Sequence, residues 1–314
     1  MSQVNGWHDG KPRSMQDLPL PDAAAARRLM THIDMLAGTI GERHLWRPSA
    51  LYQAADYIRQ SFAAAGYIPR SHGYELHDIR VDNLEAVLEG PVAPAEALVV
   101  GAHYDSVRGC PGANDNGTGV AAVLELARRF AGRPRRRSIR FVAFVNEEPP
   151  WFLTPSMGSV VYAAAARARG ERIIGMLSLE TIGYYSDEPA SQQYPPPLHM
   201  LYPATGNFIG FVSNLRSARL LRRAARAFKA RTPFPIQSAA APAAVPGVGW
   251  SDHWSFWQEG YQALMVTDTA PYRYPWYHTA EDTPDKIVLD RFAQVVDGLE
   301  HVVHVLAGGS AGVE

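Results

Sequence analysis

Val99-Val-Gly-Ala-His103-Tyr-Asp105-Ser106 reads as an apolar strand that runs straight into an imidazole, with a carboxylate two residues further on. In open α/β sheets, functional side chains gather at the carboxyl ends of the strands. Residues i and i+2 of an extended chain point the same way. Asp105 is therefore placed to accept the second ring N–H of His103, fixing the tautomer that offers the other nitrogen to a metal. Taken alone, His-x-Asp also reads as a surface histidine beside an acid. Outward from this stretch, short apolar runs alternate with longer helical patterns. Strands are expected over residues 83–89, 97–103, 139–146, 174–181 and 263–267. Helices are expected over 21–37, 49–65, 117–131, 157–169, 210–230, 252–259 and 288–306. Strands alternating with helices predict an α/β fold with a largely parallel central sheet.

Composition narrows the classes. A chain of 314 residues with 46% apolar and 19% charged side chains can bury a full-sized core and is not a disordered segment. The net charge of -1 does not suggest nucleic-acid binding, and the basic run at 133–137 reads as a solvated turn. One cysteine, Cys110, allows no internal disulfide and fits a reducing compartment. The first ten residues have neither a basic n-region nor an apolar h-region. No apolar run approaches the roughly 20 residues of a membrane span. A cytoplasmic protein with neither a nucleic-acid nor a membrane partner is expected; oligomeric state is not legible. Residues 1–20 are expected to form an arm ahead of a single domain over 21–314. The turn-rich stretches 185–205 and 232–250 are expected to be long surface loops, a common place for function.

Four further motifs extend the first. Gly112-Ala-Asn-Asp115-Asn-Gly-Thr-Gly119 opens an apolar helix. Its glycines resemble a dinucleotide fingerprint, but an acid there would repel a pyrophosphate. On a tight turn at a helix start, Asp115 is better placed to share its two oxygens between two metals. Asn146-Glu147-Glu148-Pro149-Pro150 ends a strand in adjacent glutamates, which repel unless cations offset them. The alternative is an exposed acidic turn. Adjacent residues face different ways, so one can ligate while its neighbour holds a water. Glu180 interrupts a buried-looking strand, where a lone carboxylate needs a metal or a basic partner. Tyr277-His278-Thr279 sets an imidazole just ahead of a helix start at Thr283-Pro284. Two histidines and three carboxylates, with one glutamate spare, match the needs of two zinc ions about 3.5–4 Å apart.

Gly101-Ala-His-Tyr-Asp-Ser106, Gly112-Ala-Asn-Asp-Asn-Gly117, Asn146-Glu-Glu148 and Tyr277-His-Thr279, in that order, resemble the co-catalytic zinc aminopeptidase family. That family includes bacterial leucyl aminopeptidases, glutamate carboxypeptidase and glutaminyl cyclases. The resemblance covers roughly residues 80–305. It implies a three-layer αβα sandwich with a mixed, largely parallel sheet. It also implies bridging by Asp115, a first zinc on His103 and Glu180, and a second on Glu148 and His278. Glu147 would be the general base, and a cis peptide is expected between Asp115 and Asn116. Glu180 departs from the family's more usual Asp, which leaves one zinc as an alternative to two.

The resemblance implies hydrolysis of a peptide or small aminoacyl substrate by metal-activated water. Glu147 would move the proton, and Tyr277 would be an extra donor to the developing oxyanion. Asp105 and Asp252 are candidates to orient the ligands, Asp252 also reading as a helix N-cap. Trp151, Phe152, Trp250, Tyr272, Tyr274 and Trp276 are expected to line an apolar side-chain pocket, while Trp254 and Trp257 read as core. Alternatives are a single-zinc glutaminyl cyclase and a metal-free binding scaffold. Ser251-Asp252-His253 is no serine triad, because a triad needs side chains converging from separate elements.

Overall fold

The computed structural model describes residues 21–91, 96–133, 135–196 and 198–309. The expected arm over residues 1–20 lies outside the described residues.

Three strands rich in buried apolar residues take the middle of the sheet. They are β3 (Glu96–His103), β4 (Ser138–Phe144) and β5 (Arg172–Glu180), with helices packed on both faces. Near-continuous apolar runs belong in such a doubly covered position. Around them lie β1 (Arg70–Leu76), β2 (Ile79–Leu88), β6 (Ile209–Ser213), β7 (Ile236–Ala240) and β8 (Ala263–Thr267). The order across the eight-stranded sheet is β1-β2-β4-β3-β5-β8-β6-β7. β3 runs parallel to β4 and β5, as β5 does to β8 and β6 to β7, while the β1–β2, β2–β4 and β6–β8 pairs are antiparallel. The sheet is mixed and largely parallel, as expected.

Alternation along a strand separates the two cores. Leu98 and Val100 face the core made with α1 (Ala23–Ile33), α2 (Pro48–Ala64), α3 (Gly119–Phe130), α5 (Ala218–Arg231) and α7 (Leu289–Leu306). Val99 faces the smaller core under α4 (Gly158–Ala168) and α6 (His253–Gln258). This is the three-layer αβα sandwich. Among the described residues, no helix is long and apolar enough to cross a membrane.

Register brings the chemistry-bearing ends together. His103 pairs with Phe144, three residues before Glu147. Gly101 pairs with Ser178, and the same register continued sets Glu180 beside His103.

The structure corrects the sequence reading in two places. The helix expected over 210–230 begins only at Ala218, because residues 209–213 form β6, paired antiparallel with β8. Asn214 breaks the pattern: its backbone is extended, and its side chain accepts from Ser217 N at 2.9 Å. The stretch 232–250 is not all loop, since β7 lies within it between Pro235 and Pro242. β1, a polar and half-exposed edge strand, gave no apolar signal.

Gly298 lies inside α7, where alanine is ordinarily favoured by about 1 kcal/mol. Here a Cβ would stand 2.3 Å from Cε2 of the buried Phe228 ring on α5. Packing should outweigh propensity, so Gly298→Ala should destabilise by roughly 1–3 kcal/mol in urea unfolding. A stabilised variant would show that the two helices part without cost.

Candidate metal centre

Each candidate residue stands where a strand or helix pattern stops, and buried charges hold these termini in place. His103 ends β3, its Nδ1 3.2 Å from the main-chain oxygen of Asp105. The Asp105 carboxylate is further off, at 3.6 Å, and accepts instead from Glu147 N and Glu148 N at 3.1 Å each. The histidine is thus held by the Asp105 backbone, and the expected carboxylate partner secures the two glutamates.

Asp115 sits on the turn Ala113–Thr118, and its peptide with Asn116 is cis. Asp282 fastens this turn, accepting from Asn114 N at 2.8 Å, Asp115 N at 3.1 Å and the Tyr274 hydroxyl at 2.7 Å. Asn116 ties the turn to β5 by donating to Leu179 O and accepting from Thr181 N. On the other side Arg43, fully buried, donates to the carbonyls of Leu36, Gly41, Tyr104, Pro111 and Gly112. Asn146, Thr181 and His278, in or next to the site, have positive φ, a conformation that the surrounding structure must enforce.

The five candidate ligands converge. His103 Nε2 lies 3.4 Å from Asp115 Oδ1 and 3.3 Å from Glu180 Oε2. His278 Nε2 lies 3.1 Å from Asp115 Oδ2 and 3.3 Å from Glu148 Oε2. Donor atoms of His103, Asp115 and Glu180 lie within 4.8 Å of one another, as do those of Asp115, Glu148 and His278. The two oxygens of Asp115 are thus divided between the groups. Glu147 Oε2 is 3.8 Å from His103 Nε2. Among the described residues, His103 Nε2, both Asp115 oxygens, Glu148 Oε1 and His278 Nε2 are buried without a hydrogen-bond partner, although buried polar atoms are rarely orphaned. Tetrahedral ligands at about 2.0–2.1 Å from zinc stand roughly 3.3 Å apart. The donor set fits two zinc ions sharing Asp115. The longer Glu180 side chain still reaches, steadied by a hydrogen bond of 2.7 Å from Ser251 Oγ.

Electrostatics agree with that fit. Burial, followed by the charge of Asp115, pushes Glu148 up to about 8. Burial likewise raises Glu147 well above the ordinary carboxylate range. His278 is held up at about 10, because Asp115 and Glu148 outweigh its burial. Tyr277, stacked on His278 with ring centroids 3.8 Å apart, is pushed far up by burial and the carboxylates, so its hydroxyl keeps its proton.

The other expected residues divide. Asp252 precedes α6 but caps nothing with its side chain. It is fully buried, without a hydrogen-bond partner of good geometry, and burial pushes it up to about 7 against the pull of His103. Trp250 and Tyr272, stacked at 6.4 Å, line a cavity of about 290 Å³ that reaches Glu180 and Tyr277. Trp151, Phe152, Tyr274 and Trp276 do not line it. Tyr274 is occupied with Asp282, and Trp276 packs on Tyr184 and under the Lys286 ammonium. Its apolar walls come instead from Leu198, Leu201, Phe208, Phe211 and Met265. Sequence reasoning missed these, along with Arg43, Ser251 and Asp282. It also missed Asp268, which accepts from Asn114 Nδ2, Tyr184 N and Ala270 N. The available signals were acids beside apolar runs and the proline-rich stretch after Tyr185.

Residues 83–303 match the model of peptidase family M28. An uncharacterised Escherichia coli protein, YfbL, is 35% identical over 289 residues, covering 89% of this chain and 88% of its own. Other curated relatives are longer, and the chain spans 25–64% of their length. Among solved structures, a Bacillus subtilis zinc aminopeptidase superposes with a TM-score of 0.70 at 17% identity, covering 94% of this chain and 98% of its own. A Fimbriiglobus ruber glutaminyl cyclase gives 0.64 at 19%, covering 94% and 99%. At these identities the superpositions establish the shared fold.

In the metal-free protein, the raised Glu148 favours its protonated form. The stability this confers is full below the ordinary carboxylate pKa and is lost as pH rises through about 8. Zinc requires the deprotonated form. Excess zinc should therefore raise the melting temperature of chelator-stripped protein more at pH 8 than at pH 6. An equal rise at both, measured by differential scanning fluorimetry, would show that zinc displaces no proton from this cluster between pH 6 and pH 8.

Proposed function

The chain belongs to peptidase family M28, and from that footing we propose that it is a zinc aminopeptidase that removes a large apolar residue from the N-terminus of a peptide. The observation that carries this is the division of Asp115 between two donor groups, with Glu147 beside them, its Oε2 3.8 Å from His103 Nε2. His103, Asp115 and Glu180 would hold one ion, and Asp115, Glu148 and His278 the other. Zinc, when bound, supplies positive charge that acidifies a water and stabilises negative charge on the scissile carbonyl oxygen.

The protein's own groups do the rest. Glu147 takes the proton of the attacking water and passes it to the departing amine, a task suited to a carboxyl whose affinity for protons burial has raised. Asp105, gripping the amides of Glu147 and Glu148, keeps base and ligand in fixed relation. The Tyr277 hydroxyl, protonated and on the cavity wall, donates to the carbonyl oxygen as charge develops there. Asp252, buried next to this cluster, helps set its charge balance. The free α-amine of the substrate would lie at Glu180, where the cavity begins, and the side chain would enter among Phe208, Phe211 and Met265. Among the described residues, Glu180 at the metal end is the one charged group that lines that cavity, so a charged side chain would find no partner further in. We assign the enzyme to the cytoplasm, with residues 21–314 as one catalytic unit; a single buried cysteine suits a reducing compartment.

Glu147→Gln should retain zinc and lose on the order of 10²–10⁴-fold in kcat on a leucyl anilide. Activity near that of the unmodified enzyme would rule out Glu147 as the base. Ring closure of a Gln-peptide, with no release of amine from the anilide, would assign the chain to the cyclases instead.

A further inference from the structure

The apolar cavity accounts for one half of the sheet's carboxyl edge, since its walls include residues of β6, β7 and β8. The metal-ligand positions occupy the middle, after β4, β3 and β5. Beyond β4, on the opposite half, three separate segments bring aromatic rings together. Trp46 stacks on Trp151 with centroids 6.1 Å apart and planes 18° from parallel. His77 lies against Trp151 at 5.4 Å, and His44 against Trp46 at 5.8 Å.

The placement of each segment follows from the fold. Trp151 is three residues past Glu148, and its amide donates to the Glu148 carbonyl at 3.0 Å. β2 runs antiparallel to β4 with Leu84 opposite Ala143, and this register continued sets Ile79, just after the His77 turn, opposite Glu148. The loop bearing Trp46 is bound to the strand end that carries His103: Arg43 N donates to Ser106 Oγ at 3.0 Å and Ser106 N to Arg43 O at 2.8 Å. Trp46 is nonetheless 52% exposed, although an indole of that size is ordinarily covered.

We propose that Trp46 and Trp151, edged by His77, form a subsite for the residue that follows the scissile bond, and that this subsite favours a flat ring there. The inference rests on the aminopeptidase reading. A substrate with its first side chain in the cavity and its first carbonyl at Asp115 must leave over Glu148, and the next residue then meets the stacked indoles. An aromatic ring extends the stack.

The test uses the zinc-loaded full chain with leucinamide, Leu-Ala and Leu-Phe. Trp46→Ala should lower kcat/KM for Leu-Phe about 3–10-fold, mainly through KM, in keeping with the loss of one aromatic pair. Turnover of leucinamide, which has no second residue, should stay unchanged. Trp46→Phe should restore the preference for Leu-Phe over Leu-Ala. Equal losses on all three substrates, or no loss on Leu-Phe, would overturn the subsite while leaving the aminopeptidase reading intact. A native enzyme that fails to cleave even leucinamide would end that reading, and the subsite with it.

Discussion

Mutual repulsion among Asp115, Glu147, Glu148 and Glu180 is the constraint around which the rest of the molecule is arranged. All four are almost wholly buried, and their donor atoms gather within a few ångströms of two imidazoles. Carboxylates in that position raise one another's proton affinity and destabilise the fold unless positive charge answers them. Among the described residues, neither lysine nor arginine forms an ion pair with these four carboxylates. The protein leaves imidazole and carboxylate atoms without hydrogen bonds, as a cation site requires. The termini carrying those atoms are held by a second set of buried charges. Asp105, Asp268 and Asp282 point at backbone amides, and Arg43 points at backbone carbonyls. The centre is thus held by ionic groups that bond to its backbone.

How much of this could be read from sequence depended on how local each signal was. His103, Glu147, Glu148 and Glu180 each interrupt or end an apolar run, so a pattern of period two exposes them without reference to distant residues. Asp115 and His278 stand at glycine- or proline-marked turns. The central strands were legible for the same reason, and so was the sandwich. Asp282 was missed, because its role appears only when it meets Asn114, 168 residues away in the chain. Arg43 shows nothing in sequence beyond a lone cation. β6 was hidden because its apolar residues continue smoothly into the pattern of α5, and pairing with β8 decides between them. The cavity was legible only through Trp250 and Tyr272, since Phe208 and Phe211 come from that strand region.

The mixed sheet makes the site asymmetric. Parallel strands in the middle deliver their carboxyl ends, and the ligands on them, to one edge. The antiparallel partners at either side, β2 beyond β4 and β6 beyond β8, bring hairpin turns and loop walls to that same edge. One flank becomes an apolar cavity and the other an indole stack. A peptide laid across the edge meets different surroundings before and after the bond it presents.

Arg43 and Trp46 both precede residue 83, where the family match begins. A chain shortened to the matched segment would keep every metal donor named above, yet it would strip the guanidinium from the carbonyls of Tyr104, Pro111 and Gly112. The chain entering the turn that bears Asp115 would then lose its donor at Pro111, and Gly112 O would keep only the Gly117 amide. The smallest working piece of this protein is therefore larger than its inherited signature, and its outer boundary is drawn by one salt-free cation buried among carbonyl oxygens.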